Sequence, residues 1–498
     1  VVVGDALPGH GAVDRLEGFL ADLRAQNPEL STALLGAKIA SAAFLGEMGF
    51  QQRVITPLLL LALVIFLWLC YRSWQIVAWN LFVMLVCYAA TLCLIILIEG
   101  GLGPYSSFAL MFAFIVATTD LIHYFGRFQQ VEGTTPERLA KTRKLAFVPC
   151  LLTSLTTAAG FIALVVNQNL PIRYFGLYCA FSCMLEWVII FCVLPQLLIA
   201  FNFDPGTKSW KMPVLSKAIA PFINRYATSA VAISMILLAV SVVASLSLKI
   251  DDNFYTKFVK NHSLSRAIEL FSEQFDFVGS IDVIVERGDR ALDSPAAQAD
   301  LRDLERELAA HPVVSKISSF RQVEDTLDSE IAKAGIDPDR RLETRNSVLR
   351  LLLDYGSLRD FVNETKGEVR TIVFLKSLAT EDLDQVLALI DELKAKYASK
   401  FEIRAAGFSV IRSFINSRVI SDFFESFILS FILIFLCYVY LYRSIKWSLI
   451  ALIPNALPLL AISGLMGILK VPVDTNLVIL ICVVFGVAGD NTIHLTYV

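Results

Sequence analysis

Runs of about 20 consecutive apolar residues, the length that carries a helix across a bilayer core at about 1.5 Å per residue, recur nine times in this 498-residue chain. They lie at about Val54 to Tyr71, Ile76 to Ile98, Tyr105 to Phe125, Phe147 to Val166, Tyr174 to Phe201, Tyr226 to Leu248, Phe423 to Tyr442, Ser448 to Leu469, and Val473 to the end. Hydrophobic residues make up 56% of the chain and charged residues 18%. That is more apolar surface than a water-soluble core absorbs, so the excess must face lipid.

The short loops carry the orientation. Those after the first, third and fifth spans hold Arg72, then Arg127, Arg138, Lys141, Arg143 and Lys144, then Lys208, Lys211, Lys217 and Arg225, whereas the opposite short loops among these spans, after the second and fourth, hold only Arg173, beside Glu99. The positive-inside rule makes the basic loops cytoplasmic and puts the long polar segment from Lys249 to about Arg418 outside, which in a Gram-negative cell is the periplasm. A net charge of −3 and the lack of any basic run with interleaved aromatics exclude a nucleic-acid partner. All nine cysteines sit in or beside apolar spans, unlike a disulfide framework or a zinc ribbon, and read as small lipid-phase packing residues. No nucleophile elbow or phosphate-binding glycine loop is present, so neither an enzymatic activity nor a cofactor is expected. Val1 reads as the middle of a strand and Val498 lies inside an apolar run, so a longer parent chain is expected.

A repeat organises the chain. With a fixed offset of 371, the interval from Arg72 to Arg443, the segment from Val1 to Arg127 matches Ile372 to Val498 without a gap. Identities include Leu16/Leu387, Gly36/Gly407, Tyr71-Arg72-Ser73 against Tyr442-Arg443-Ser444, Leu81/Leu452, Phe114/Phe485, Ala117/Ala488, and Ile122-His123 against Ile493-His494. Six spans separate each position from its partner, an even number, so the halves are parallel repeats about an axis along the membrane normal. Within the outer segment, Ser280 to Glu286, Val313 to Ser318, Arg370 to Leu375 and Phe401 to Ala405 read as strands, while Ala297 to Ala310 and Leu383 to Tyr397 read as helices. Two strand-helix-strand units of this kind predict a split βαβ, ferredoxin-like sandwich. Between them, Gln322 to Glu364 reads as a charged helical insertion broken at Gly335 and Pro338, a candidate for lining or gating a path.

Chemistry concentrates in two spans. Asp120 and His123 in the third, and Asp490 and His494 in the last, are spaced three and four apart, which puts each pair on one helix face. In the repeat frame Asp120 falls opposite Asn491, and Thr119 opposite Asp490. A carboxylate near the bilayer centre costs about 2.5 to 3.5 kcal/mol on insertion scales, more than packing alone justifies. The preferred reading is a proton relay of Asp120, His123, Asp490, Asn491 and His494, with Thr118, Thr119, Glu186 and Thr492 as candidate support. The acids are expected to face each other across an interface between the third and last spans. Two other readings stay open: structural hydrogen bonds between helices, and a metal ion held by Asp and His from two helices. Thr153, Ser154, Thr156 and Thr157 read chiefly as helix-packing hydroxyls, and Pro454 and Pro458 as kinks that free carbonyls. His10, His262 and His311 have no metal-like companions and are assigned no role.

The segment Phe485-Gly486-Val487-Ala488-Gly489-Asp490-Asn491-Thr492-Ile493-His494 resembles the span-ten signature of the resistance-nodulation-division (RND) superfamily of proton-driven exporters, in which two adjacent acids precede Thr-Ile-His. Here Asn491 replaces the second acid, and the span-four counterpart, Thr119-Asp120-Leu121-Ile122-His123, keeps only the second acidic position. The resemblance covers essentially the whole chain. It implies an α-helical polytopic membrane protein of two pseudo-symmetric halves and twelve spans, with α/β ferredoxin-like periplasmic domains. On that plan residues 1–49 end the first periplasmic domain, 50–225 are spans two to six, 226–248 span seven, 249–418 the second periplasmic domain, and 419–498 spans eight to ten. The short outer domain and the Ile-His after the acid resemble the branch holding mycobacterial MmpL lipid exporters, hopanoid exporters, and the Patched and Niemann-Pick sterol proteins. That branch implies a lipid or other hydrophobic cargo, driven by protons out of or away from the bacterial inner membrane. A periplasmic partner protein and a homo-oligomer are further expectations from it. The protein-secretion relatives share the architecture, but their signatures in spans four and ten are not found here. The rival reading is a non-pumping lipid- or sterol-sensing receptor or scaffold.

Overall fold

The computed structural model describes residues 10–30, 32–203, 213–248, 262–287, 294–354, 358–363, 367–473 and 475–496. In chain order its helices are α1 (His10–Gln26), α2 (Ala37–Phe50), α3 (Thr56–Tyr71), α4 (Trp74–Glu99), α5 (Pro104–Gln130), α6 (Thr135–Ile162), α7 (Leu170–Val188), α8 (Leu194–Ala200) and α9 (Pro213–Ser245). There follow α10 (Ser263–Phe275), β1 (Gly279–Glu286), α11 (Pro295–Ala309), β2 (Val314–Ser318), α12 (Phe320–Lys333), α13 (Pro338–Asp354), β3 (Val362–Asn363), β4 (Glu368–Leu375), α14 (Thr380–Lys396) and β5 (Glu402–Ala406). The last three helices are α15 (Phe408–Tyr442), α16 (Ile445–Leu469) and α17 (Thr475–Thr496). The chain divides into two compact units, Val1–Phe44 with Asp251–Ser417, and Leu45–Ile250 with Arg418–Val498.

Eight of the nine expected spans are helices long and apolar enough to cross a membrane, from Ile39–Tyr71 to Ile445–Leu469, which makes this a multi-pass membrane protein. The ninth, α17, is helical throughout its described length, and the side chains of 474–479 and 481–483 lie outside the described residues. The expected strand at Val1 also lies outside them.

The repeat is written into the backbone. The segment Ala37–Tyr71 and α15 begin and end at the same offset, and so do the starts of α4 and α16 and of α5 and α17. Gly36 and Gly407 precede the long helices with φ of +151° and +106°, and Arg72 and Arg443 end them in the left-handed region at φ 52° and 49°. In each copy the arginine N–H closes the last turn, onto the carbonyls of Trp68 and Val439 at 2.8 Å, and an extended serine starts the next helix. An L-residue in that region cannot continue a right-handed helix, so Tyr-Arg-Ser is a stop-and-restart signal used twice. The helix α16 continues through Pro454 and Pro458.

The membrane unit buries Leu67, Met84, Phe114, Leu121, Tyr124 and Phe128 at the centre of its first half. Outward-facing side chains on α3 and α9, such as Leu61, Ile65, Val231, Ile236 and Val243, are exposed, as lipid-facing residues of a spanning helix should be. Glycines set the closest helix approaches. A Cβ at Gly467 would lie 2.1 Å from the Ala244 carbonyl oxygen of α9, and one at Gly464 would lie 2.6 Å from Ser241 Cα.

In the extramembrane unit β1 and β4 form the centre of a sheet ordered β2-β4-β1-β5, with every pairing antiparallel and β3 paired to β4. This is the order that two interleaved βαβ units produce, as expected from the strand-helix alternation. Alternate residues Ile281, Val283, Val285, Val373, Leu375 and Ile403 point to one face, where Leu301, Leu304 and Leu308 of α11 and Leu383, Val386 and Ile390 of α14 cover them. The expected insertion is the helix pair α12 and α13, turned at Gly335 (φ +71°) and restarted at Pro338. The helix α10 and the two-residue β3 were not anticipated, the latter because two residues carry no periodicity.

Candidate functional site

The helix α6 supplies the scaffold. Pro136 in its first turn and the reciprocal pair of Thr134 with Glu137 start it, and further along Thr153, Ser154, Thr156 and Thr157 form a buried hydroxyl stripe one turn long. Asp120 of α5, 5% exposed, turns into that stripe: Ser154 Oγ donates to Oδ2 at 2.6 Å and Thr153 Oγ1 lies 3.0 Å from Oδ1. Asp490 of α17, 7% exposed, accepts from Thr157 Oγ1 at 3.3 Å. The two acids, one from each half of the repeat, therefore hang from the same helix about one turn, roughly 5.4 Å, apart.

The imidazoles meet directly. His123 and His494 stack with ring centroids 3.5 Å apart and planes 15° from parallel. They are partners in the repeat, and a residue meets its own equivalent only beside the symmetry axis, so the pseudo-two-fold runs between these rings. Among the described residues His494 Nε2 is buried without a hydrogen-bond partner. A carboxylate oxygen of Asp120, the Cys150 sulfur and a His494 ring nitrogen lie within 4.8 Å of one another, on α5, α6 and α17.

Two expectations need correction. The last helix packs chiefly on α6 rather than α5, so both acids take their hydrogen bonds from α6, while α5 and α17 meet through the rings of His123 and His494. The reason is steric. Gly486 of α17 sets its backbone against Thr157 and Gly160 of α6, where a Cβ would lie 3.4 Å from the Thr157 carbonyl, and this seam of small residues admits the closest approach. Three of the hydroxyls read as helix packing, Thr153, Ser154 and Thr157, are thus hydrogen-bond partners of the acids, while Thr156 bonds the Thr153 carbonyl of its own helix. Nor do the acids bond the histidine on their own helix: Asp120 turns to α6, while the imidazole near it, His494, comes from the other half.

The candidate supports divide. Thr118 Oγ1 bonds the Phe114 carbonyl at 2.8 Å and contacts Met84 Sδ at 3.8 Å, and Thr119 Oγ1 bonds the Val116 carbonyl at 2.6 Å, so both hydroxyls serve their own helix. Glu186 of α7 is 1% exposed and faces the bundle interior, with Oε1 lacking a partner among the described residues. Thr492 donates to Asn455 Oδ1 at 3.0 Å, and Asn455 Nδ2 donates to the Tyr438 hydroxyl at 2.6 Å, which lies 3.4 Å from the Gly489 carbonyl. The side chain of Asn491 lies outside the described residues. Sequence reasoning missed Asn455 and Tyr438, although a lone Asn between two prolines of an apolar span was a legible signal.

No family model matches the chain, and no curated protein matches it. Among solved structures it is similar to the cryo-EM structure of the hedgehog release protein Disp from the water bear Hypsibius dujardini, at TM-score 0.63 and 12% identity, over 98% of this chain and 65% of that one. It is also similar to the crystal structure of SecDF, a translocon-associated membrane protein from Thermus thermophilus, at TM-score 0.51 and 13% identity, over 91% of this chain and 51% of that one. The chain thus spans between half and two thirds of the length of these neighbours. With repeated halves and a ferredoxin-like extramembrane unit, the chain shares the fold of these two membrane proteins, which is the architecture that its resemblance to the RND superfamily implied.

Proposed function

We propose that this chain is the core of a proton-driven transporter in a bacterial inner membrane that moves lipids or other hydrophobic molecules out of or away from the bilayer, without chemically altering them. The observation that carries the reading is the pair of buried acids from opposite halves, Asp120 and Asp490, suspended from one hydroxyl-bearing helix beside stacked imidazoles on the pseudo-symmetry axis. A structural hydrogen bond needs no ionisable group, whereas a relay does. Protons entering would pass Asp490, His494, His123 and Asp120. Each proton contributes about 2.3 kcal/mol per 100 mV and about 1.4 kcal/mol per pH unit, enough to drive a shift of a few kcal/mol between two packings of the halves.

The test uses proteoliposomes with an imposed proton gradient and a fluorescent lipid as cargo. Native protein is expected to couple proton entry to lipid movement, and Asp120→Asn and Asp490→Asn each to abolish both while lipid binding persists. Native protein that binds lipid yet shows no proton-dependent movement would refute pumping and leave the lipid-sensing scaffold. Full coupling in either variant would refute the relay.

A further inference from the structure

We propose that Asp120, Cys150 and His494 form a binding site for one borderline-soft divalent cation of the zinc class. The three side chains come from three helices, α5, α6 and α17, and present a carboxylate oxygen, a sulfur and an imidazole nitrogen within 4.8 Å of one another. Nothing in helix packing demands that combination. A tetrahedral zinc centre with bonds of about 2.0 to 2.3 Å holds its donors roughly 3.3 to 3.8 Å apart, so closing onto an ion asks for about 1 Å of side-chain movement.

Three further features favour the ion. His494 Nε2 is buried and has no hydrogen-bond partner among the described residues, which leaves a lone pair or a proton unsatisfied unless an acceptor or a metal takes it. Ser154 and Thr153 bond the two oxygens of Asp120, and each oxygen retains a further lone pair, so these hydroxyls orient the carboxylate as outer partners of a metal ligand commonly do. The charges also close: thiolate, carboxylate and neutral imidazole sum to −2, which one divalent ion neutralises where an unpaired charge is costly. Binding releases the Cys150 proton to solvent and forms the metal–sulfur bond in its place. A thiolate with an imidazole selects zinc over magnesium or calcium, which prefer all-oxygen sites.

Because α5 and α6 belong to the first half of the repeat and α17 to the second, an occupied site ties the halves together at the pseudo-symmetry axis. The site does not rest on the transport reading, since its binding is measured without a gradient or a cargo. The experiment uses the full chain in lipid nanodiscs, stripped with a chelator and titrated with Zn2+ by calorimetry and with Co2+ by absorption. One equivalent should bind, the Co2+ complex should show a thiolate-to-metal charge-transfer band, and Cys150→Ser or His494→Gln should each weaken Zn2+ binding by at least about 100-fold. Cys183→Ser, altering another buried thiol, should leave the affinity unchanged. Failure of the native protein to bind, a Co2+ complex without the thiolate band, or Zn2+ affinity unaltered in Cys150→Ser would overturn the proposal. The Co2+ spectrum of the native protein decides the matter even if a variant fails to fold.

Discussion

Replacing Tyr438, Asn455, Gly489 and Thr492 together should be better tolerated than replacing Asn455 alone. At the repeat offset these four positions correspond to Leu67, Met84, Thr118 and Leu121. The first half thus fills, with three apolar side chains and a threonine bonded to its own helix, the space that the second half fills with a hydrogen-bonded network, and both sets are buried apart from the partly exposed Thr492. The sizes are matched within each set: Gly489 leaves room for the Tyr438 hydroxyl, 2.8 Å from where a Cβ would stand, while Thr118 contacts Met84 in the half where Leu67 replaces the larger tyrosine. Asn455→Met alone removes two hydrogen bonds and strands the Thr492 hydroxyl. At about 0.6 kcal/mol for each of the two membrane hydrogen bonds plus about 1 to 3 kcal/mol for an unsatisfied group, that amounts to about 2 to 4 kcal/mol. The fourfold change Tyr438→Leu, Asn455→Met, Gly489→Thr and Thr492→Leu removes every partner at once and imports a set that already packs in this fold. It should fall within about 1 kcal/mol of the native protein. Thermal unfolding in detergent at one fixed scan rate reads the ranking, since such midpoints depend on rate. A fourfold variant as unstable as the single changes added together would refute the equivalence of the halves.

Gly467→Ala should destabilise the α9–α16 contact by 1 to 3 kcal/mol or more, read by the same unfolding assay, because the clashing atom is the Ala244 carbonyl of the backbone and cannot rotate away. In the extramembrane unit Glu305, 3% exposed, is bound by Arg321 at 2.7 Å, so Arg321→Met leaves a buried charge unpaired and should cost about 3 to 5 kcal/mol in denaturant unfolding, whereas Arg306→Met, on an exposed pair, should cost under about 1 kcal/mol. Lys396 and the Tyr397 hydroxyl hold the Glu307 carboxyl below its usual range. A carboxyl lowered on folding contributes stability above its unfolded pKa and loses it as pH falls through the folded one. Glu307→Gln should therefore cost a few tenths of a kcal/mol at neutral pH and nothing in strong acid, read from unfolding midpoints at the two pH values.

Element order and symmetry were legible in the chain because they rest on local patterns. Apolar length marks a span, alternation marks a strand, and a fixed offset aligns Tyr71-Arg72-Ser73 with Tyr442-Arg443-Ser444, whose shared left-handed arginine then ends both helices in the same way. The same offset put His123 and His494 in register, and parallel repeats bring equivalent residues together at their axis, where the two rings stack. The partners of the acids were not legible. A helix period says which face Asp120 occupies, but not which neighbour that face meets, and a serine or threonine in an apolar helix reads equally as a bond to its own backbone. Thr119 does bond its own backbone, whereas Ser154 reaches across to Asp120. What separated the two was the neighbour each face met: Ser154 of α6 faces Asp120 of α5, and the close approach of α17 to α6 at Gly486, between residues 329 apart in the chain, likewise brings Thr157 to Asp490. Sequence periodicity thus determined the faces, and only packing in three dimensions decided what each face touched, because backbone approach depends on the summed bulk of both helices at the crossing.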